Sequence, residues 1–140
     1  MAGKKIKYLL VVFGIIAIAI YAYKEYNRKS PDLANTVAVE HITAAVLIDA
    51  YSNKEDVANK KYLGKVIEVK GVVVDVKKLQ DTTFTILLGD TAHSSRVSCT
   101  IDKNHIDAAK KYIVGSIVDI KGICTGYLMD VELNHCLIVE

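Results

Sequence analysis

From Lys65 the apolar residues begin to recur at every second position, and KVIEVKGVVVDVKK (residues 65–78) keeps this up for fourteen residues. Period two puts successive side chains on opposite faces of a strand. Ile67 and Val69 share a face, with Glu68 and Lys70 opposed to them; after Gly71 the inward set reads Val72, Val74 and Val76, with Asp75 and Lys77 outward. A change of parity at glycine marks a β-bulge in a long, bent strand, which places the expected bulge at Gly71. IEVKGVVV from Ile67 is matched in character by VDIKGICT from Val118, with glycine at the same place. Two short runs are too few for a solenoid. They predict two strands that bend alike to close a small barrel.

Three more strands follow the same period. TTFTILLGD (82–90) turns Phe84, Ile86 and Leu88 inward, SRVSCTID (95–102) turns Val97, Cys99 and Ile101 inward, and VELNHCLIVE (131–140) closes the set. Ahead of them Thr43 is placed to cap a helix whose Leu47, Ala50, Tyr51, Ala58 and Tyr62 lie near one face. Ser52-Asn53-Lys54-Glu55 has capping-box form, so this helix either breaks and restarts there or runs on with a kink, and Gly64 ends it. Asp102 is expected to cap a short helix over 104–112, terminated by Gly115. The order is helix, three strands, short helix, two strands. A β-sandwich would need more strands, and a ferredoxin-like fold a helix between the first two. The expected fold is mainly β: a five-stranded OB-fold barrel with an N-terminal helix and a short helix between strands three and four.

A second feature precedes the barrel. YLLVVFGIIAIAIYAY (8–23) is an uncharged apolar run of sixteen residues. It reaches about 24 Å as a helix, against about 30 Å of bilayer hydrocarbon. Ile6 and the stem of Lys7 extend it, and Tyr8, Tyr21, Tyr23 and Tyr26 stand at its ends as headgroup-level rings would. One transmembrane helix is the expectation, with the lipid bilayer as partner of residues 6–23. Cleavage after Ala17-Ile18-Ala19 as a signal peptide and burial as a core helix are the alternatives. Lys4, Lys5 and Lys7 before the run balance Lys24, Arg28 and Lys29 after it. The signal-like layout then favours a cytoplasmic N-terminus and a domain on the periplasmic side of the membrane. The division expected is anchor 1–25, linker 26–42 and barrel domain 43–140.

Charge narrows the function classes. Beyond residue 29 the chain carries twelve Lys/Arg against fifteen Asp/Glu, a net charge of −3. A basic surface, which supplies non-specific nucleic-acid affinity, is not evident. No nucleophile–base pair, phosphate loop or paired-carboxylate signature is visible, so neither a catalytic residue nor a cofactor is expected. His41, His93 and His105 lie on three different segments, His135 faces away from Cys136, and no Cys-x-x-Cys occurs, which argues against a metal site. Cys136 could form a disulfide with Cys99 or Cys124, or all three could be small buried hydrophobes; both readings stay open. If the barrel binds a ligand in the usual cleft, the candidates are Lys77, Lys78 and Gln80 on one side, Tyr127 and Met129 on the other, and Arg96.

The chain resembles the tRNA_anti-like family over residues 45–139. The resemblance rests on Ala50-Tyr51, Asn53, Ala58 and Tyr62, then Gly64-Lys65-Val66, Val69 and Gly71-Val72. It continues through Val97, Cys99, Val118, Gly122, Cys124, Gly126, Val131, Leu133 and Cys136. It implies a small exported or membrane-anchored bacterial OB-fold domain without enzymatic activity, with nucleic-acid binding implied by analogy of fold. Lipoprotein members carry a cysteine for lipidation, and here no cysteine precedes Cys99. The function expected is a non-enzymatic, membrane-anchored binding module with a protein or glycan partner. The alternative is single-stranded nucleic-acid or tRNA-like binding.

Overall fold

The computed structural model describes residues 2–26, 33–79 and 83–139, without the side chains of 2–7, 9, 25, 26 and 79. It divides into two units, Met1–Ser30 and Pro31–Glu140. The first unit is one helix, α1 (Ala2–Tyr26). The helix is as expected, but the crossing is not. Among the described residues no helix is long and apolar enough to cross a membrane. The uncharged run is only sixteen residues long and is closed off by Lys7 and Lys24, where a spanning helix needs about twenty apolar residues. The single-pass placement falls with it, as do its periplasmic and cytoplasmic sides and the bilayer as partner of residues 6–23.

The first strand of the second unit is β1 (Glu40–Thr43), which overlaps the end of the stretch 26–42 expected as a linker. Helix α2 (Ala44–Asn53) starts at Thr43, whose Oγ1 accepts from the Val46 amide at 3.4 Å. It ends where Lys54 leaves helical conformation at φ −149°, ψ 76°, and α3 (Glu55–Tyr62) restarts at once. The helix therefore breaks at the expected capping segment. Gly64, at φ +74°, turns the chain into the barrel.

The strands are β2 (Val66–Leu79), β3 (Thr83–Gly89), β4 (Val97–Ile101), β5 (Ile117–Tyr127) and β6 (Val131–Val139). They hydrogen-bond in the order β2-β3-β4-β6-β5, and β5 returns to β2 to close the barrel, while β1 lies parallel along β2. β4 and β6 run parallel and the other barrel pairs antiparallel. A 3₁₀ turn (Lys103–His105) and α4 (Ile106–Ala109) replace the longer helix expected over 104–112. Past α4 the chain turns, and the Ile113 amide donates to Ser116 Oγ at 3.2 Å. Asp102 makes no side-chain cap; its carboxylate lies 3.5 Å from His135 Nδ1.

The bulges differ from the expectation. Ile67, Val69 and Val73 are all buried, so parity runs unbroken through Gly71. The register shift falls between Val73 and Asp75 instead. Gly71 faces inward, and a Cβ there would lie 3.0 Å from the Cβ atoms of Ala44 and Leu88. The glycine is thus a recess for the first turn of α2. On β6, His135 takes up the extra residue at φ +55°, which brings Cys136 inward with Val131 and Leu133.

α2 packs across the end of the barrel where β3 and β5 finish and β4 and β6 begin, and buries Leu47, Ile48 and Tyr51 completely. Each such side chain contributes about 1.5–3 kcal/mol of burial. This closed end positions most of the candidate surface.

Candidate binding surface

The outer face of β3 and β4 forms two rows across the sheet. Lys77, Thr85 and Thr100 make one row, and Asp75, Leu87 and Ser98 the other. Hydroxyls and a single cation–anion pair of residue types line these rows, with no aromatic ring. Leu87 is buried although its parity points outward.

The candidate residues separate into two groups. Arg96, Tyr127 and Met129 gather at the α2 end. Lys77 and Lys78 pair with Thr85 and Phe84 at the start of β3, about 20 Å away along a strand at about 3.4 Å per residue. Gln80 lies outside the described residues.

Arg96 is occupied by its own loop. Its guanidinium donates to the His93 carbonyl and, at 3.0 Å, to the Ser95 carbonyl. Its backbone amide donates to Asp130 Oδ1 at 2.7 Å, and its carbonyl accepts from Val131 N at 2.9 Å. The side chain lies over Gly89, where a Cβ would stand 2.5 Å from Arg96 Cδ. Tyr127 is equally committed. Its ring stacks on Tyr51 with centroids 5.6 Å apart, and its hydroxyl lies 3.2 Å from Ser95 Oγ. Met129, 81% exposed, and Leu128, 86% exposed, form the tip of the β5–β6 turn.

Sequence reasoning missed a clamp of one histidine between two aspartates beside Arg96. His93 Nδ1 lies 2.8 Å from Asp90 Oδ1, and Nε2 lies 3.0 Å from Asp49 Oδ1 on α2. The same Asp90 oxygen accepts the Ala92 and His93 amides, so the loop is folded around it. Hydrogen bonds to Asp90 and then Asp49 raise the His93 pKa above 6.5, and the bond from His93 holds Asp90 below 3.8. The His93 contribution to stability is complete below pH 6.5 and is lost as pH rises through its raised folded value; the Asp90 contribution is present above pH 3.8 and is lost as pH falls through its depressed one. Stability should therefore peak between those limits. His93→Gln is expected to flatten the alkaline side of that peak in urea titrations across pH, and an unchanged profile would remove the clamp. Asp90 and His93 stand three apart, the one local signal available; Asp49 comes from forty-four residues upstream.

All three cysteines are free, buried thiols. Cys124 Sγ lies 3.2 Å from the Tyr51 hydroxyl. Burial pushes the pKa of Cys136 well up, and the neighbouring Cys99 thiol adds to the rise. Of its two possible partners, Cys99 is the one brought beside it. Among the described residues no group of His, Cys, Asp and Glu side chains could hold a metal ion.

A five-stranded barrel closed in this order, with a sheet face bordered by loops, defines an OB-fold binding domain. The tRNA_anti-like family pattern matches residues 1–138, and the chain belongs to that family. A candidate nucleic acid-binding lipoprotein from Klebsiella pneumoniae superposes with a TM-score of 0.58 at 18% identity, over 81% of this chain and 100% of that one. A candidate aspartyl-tRNA synthetase from Leishmania major gives 0.48 at 16% identity, over 86% of this chain and 25% of that one. The asparaginyl-tRNA synthetase of Entamoeba histolytica gives 0.43 at 18% identity, over 54% and 21%. The chain thus spans a quarter or less of those two synthetases, and the likeness is one of fold. No curated protein matches it.

Proposed function

We propose that the chain is a non-enzymatic OB-fold module that binds a protein partner at the α2 end of the barrel. The carrying observation is the β5–β6 turn, which holds Leu128 and Met129 out in solvent beside the sheet face. Methionine and large apolar side chains of this kind supply adaptable contact area at interfaces. Val46 and Val57 extend the apolar surface around a groove of about 390 Å³ at the α2–α3 elbow. Between the protein and glycan partners considered from the sequence, this surface favours protein.

Single-stranded nucleic acid is the second reading. It is supported by the fold, by the description of the Klebsiella relative, and by Lys77 beside the Thr85 and Thr100 hydroxyls. Against it stand a face without stacking rings and an arginine already bound to carbonyls.

One pair of measurements separates the two. Twenty-nucleotide dT and rU oligomers should show no binding by fluorescence anisotropy at 25 mM salt. In-cell crosslinking to a protein should fall at least tenfold in Leu128→Ser/Met129→Ser, as loss of a contact worth about 1.4 kcal/mol or more would require. Oligomer binding that weakens with salt and disappears in Lys77→Glu/Lys78→Glu would overturn the protein reading and establish the other.

A further inference from the structure

Beside Tyr127 lies a cavity of about 280 Å³ between α3 and the β5–β6 turn. Leu63, Leu128 and the Tyr127 ring give it apolar walls, while Glu55, Glu132 and Asn59 supply its polar atoms. Gly126, at φ +134°, forms part of the lining without a side chain, in a conformation that other residues avoid. No basic residue lines the cavity.

The polar groups differ in what they have left to offer. Thr125 Oγ1 donates to the Glu132 carbonyl at 3.2 Å and receives from Asn134 Nδ2 at 3.3 Å, so it is engaged. The Tyr127 hydroxyl is taken by Ser95. Among the described residues, neither Glu55 nor Glu132 has an ion-pair partner. Asn59 Oδ1 is shielded from water and meets no donor. An atom closed to a water molecule is equally closed to a ligand in a cavity open to solvent, so Asn59 Oδ1 offers such a ligand nothing. The groups free to meet a ligand are thus two carboxylates, set between leucines and a ring.

That combination selects for a ligand with several N–H donors, a positive charge and an apolar stem. A free anion is repelled and a neutral hydrocarbon leaves the acceptors unmet. Lysine and arginine side chains carry all three properties, their methylenes covering apolar surface while the head group donates. We propose that this cavity receives a lysine or arginine side chain presented by the protein partner, an inference that rests on the protein-binding reading above. The Leu128–Met129 turn, which borders the cavity, then closes over the stem.

The probe is n-pentylammonium, titrated into the ¹⁵N-labelled full chain and compared with 1-pentanol. Amide shifts are expected over residues 59–63 and 125–128 with the ammonium, at an affinity at least tenfold above that for the alcohol. Glu55→Gln/Glu132→Gln should lower the ammonium affinity about tenfold, since two carboxylates at about 0.7 kcal/mol each amount to one decade. Both glutamates are exposed, so the double variant keeps the fold. Equal shifts with both probes, no shifts at all, or an unaltered affinity in the double variant would overturn the assignment. Protein crosslinking that survives in the double variant while pentylammonium fails to bind removes the cavity alone. Loss of crosslinking dependence on Leu128 and Met129, with pentylammonium still bound at 59–63, removes the wider reading and leaves the cation site.

Discussion

Tyr51→Ala is expected to lower the stability of the barrel unit by about 3–5 kcal/mol, the range for removing a large side chain from a packed core. Tyr51 is 1% exposed and joins three parts of the structure. Its ring stacks on Tyr127 at the end of β5 and tilts against Tyr62 of α3 with centroids 6.3 Å apart. Its hydroxyl shares a hydrogen bond with the Cys124 thiol inside the barrel. A domain of this size has only about 5–15 kcal/mol of stability in all. The change should therefore show as a large drop in the urea midpoint or as an unfolded product. Tyr51→Phe separates the ring from the hydroxyl. It keeps both aromatic contacts and should cost about 0.5–1.5 kcal/mol, the worth of one net hydrogen bond. Equal losses in the two variants would show that the ring does not hold α2 onto the barrel.

Gly122→Ala should be the next most damaging change, for the opposite reason. A Cβ at residue 122 would lie 2.5 Å from Cys136 Sγ, 3.2 Å from Leu133 Cβ and 3.4 Å from the Asn134 carbonyl. The strand pairing on both sides of β5 prevents the backbone from retreating. Overpacking of this kind costs about 1–3 kcal/mol. Because the nearest obstacle is one sulfur, Cys136→Ala should relieve much of the cost, and the two changes together should destabilise less than the sum of each alone. Strict additivity in denaturant titrations would contradict this account.

These two residues also show how far the sequence could be read. The period of two, the capping residue Thr43 and the turn at Gly64 were legible because each follows from local chemistry. The five-stranded barrel followed in turn from the order of elements. The bulge was not. Val72, Val73 and Val74 stand in succession, and three adjacent valines do not say which of them faces the core. Gly71 and Gly122 looked like bends and proved to be recesses for Ala44 and Cys136, whose approach is set by long-range packing. The candidate site was legible to a smaller degree. The usual cleft of the fold put Arg96 and Tyr127 among the candidates, but their existing partners, Ser95, Asp130 and Tyr51, depend on loops that meet only in the folded chain. A sixteen-residue apolar run lies close to the length at which a helix crosses a bilayer, and there hydropathy by itself was a poor judge.

The short strand β1 has an effect on association. By pairing Glu40–Thr43 with Ile67–Lys70, it occupies main-chain donors and acceptors along β2 that would otherwise invite a foreign strand. The rim it presents in exchange is four residues long. It bears Glu40, engaged with Lys61 at 3.1 Å, and His41, engaged with Glu68 at 3.2 Å. So short and polar a margin gives little purchase for β-augmentation or for copies of the chain to grow into a fibril.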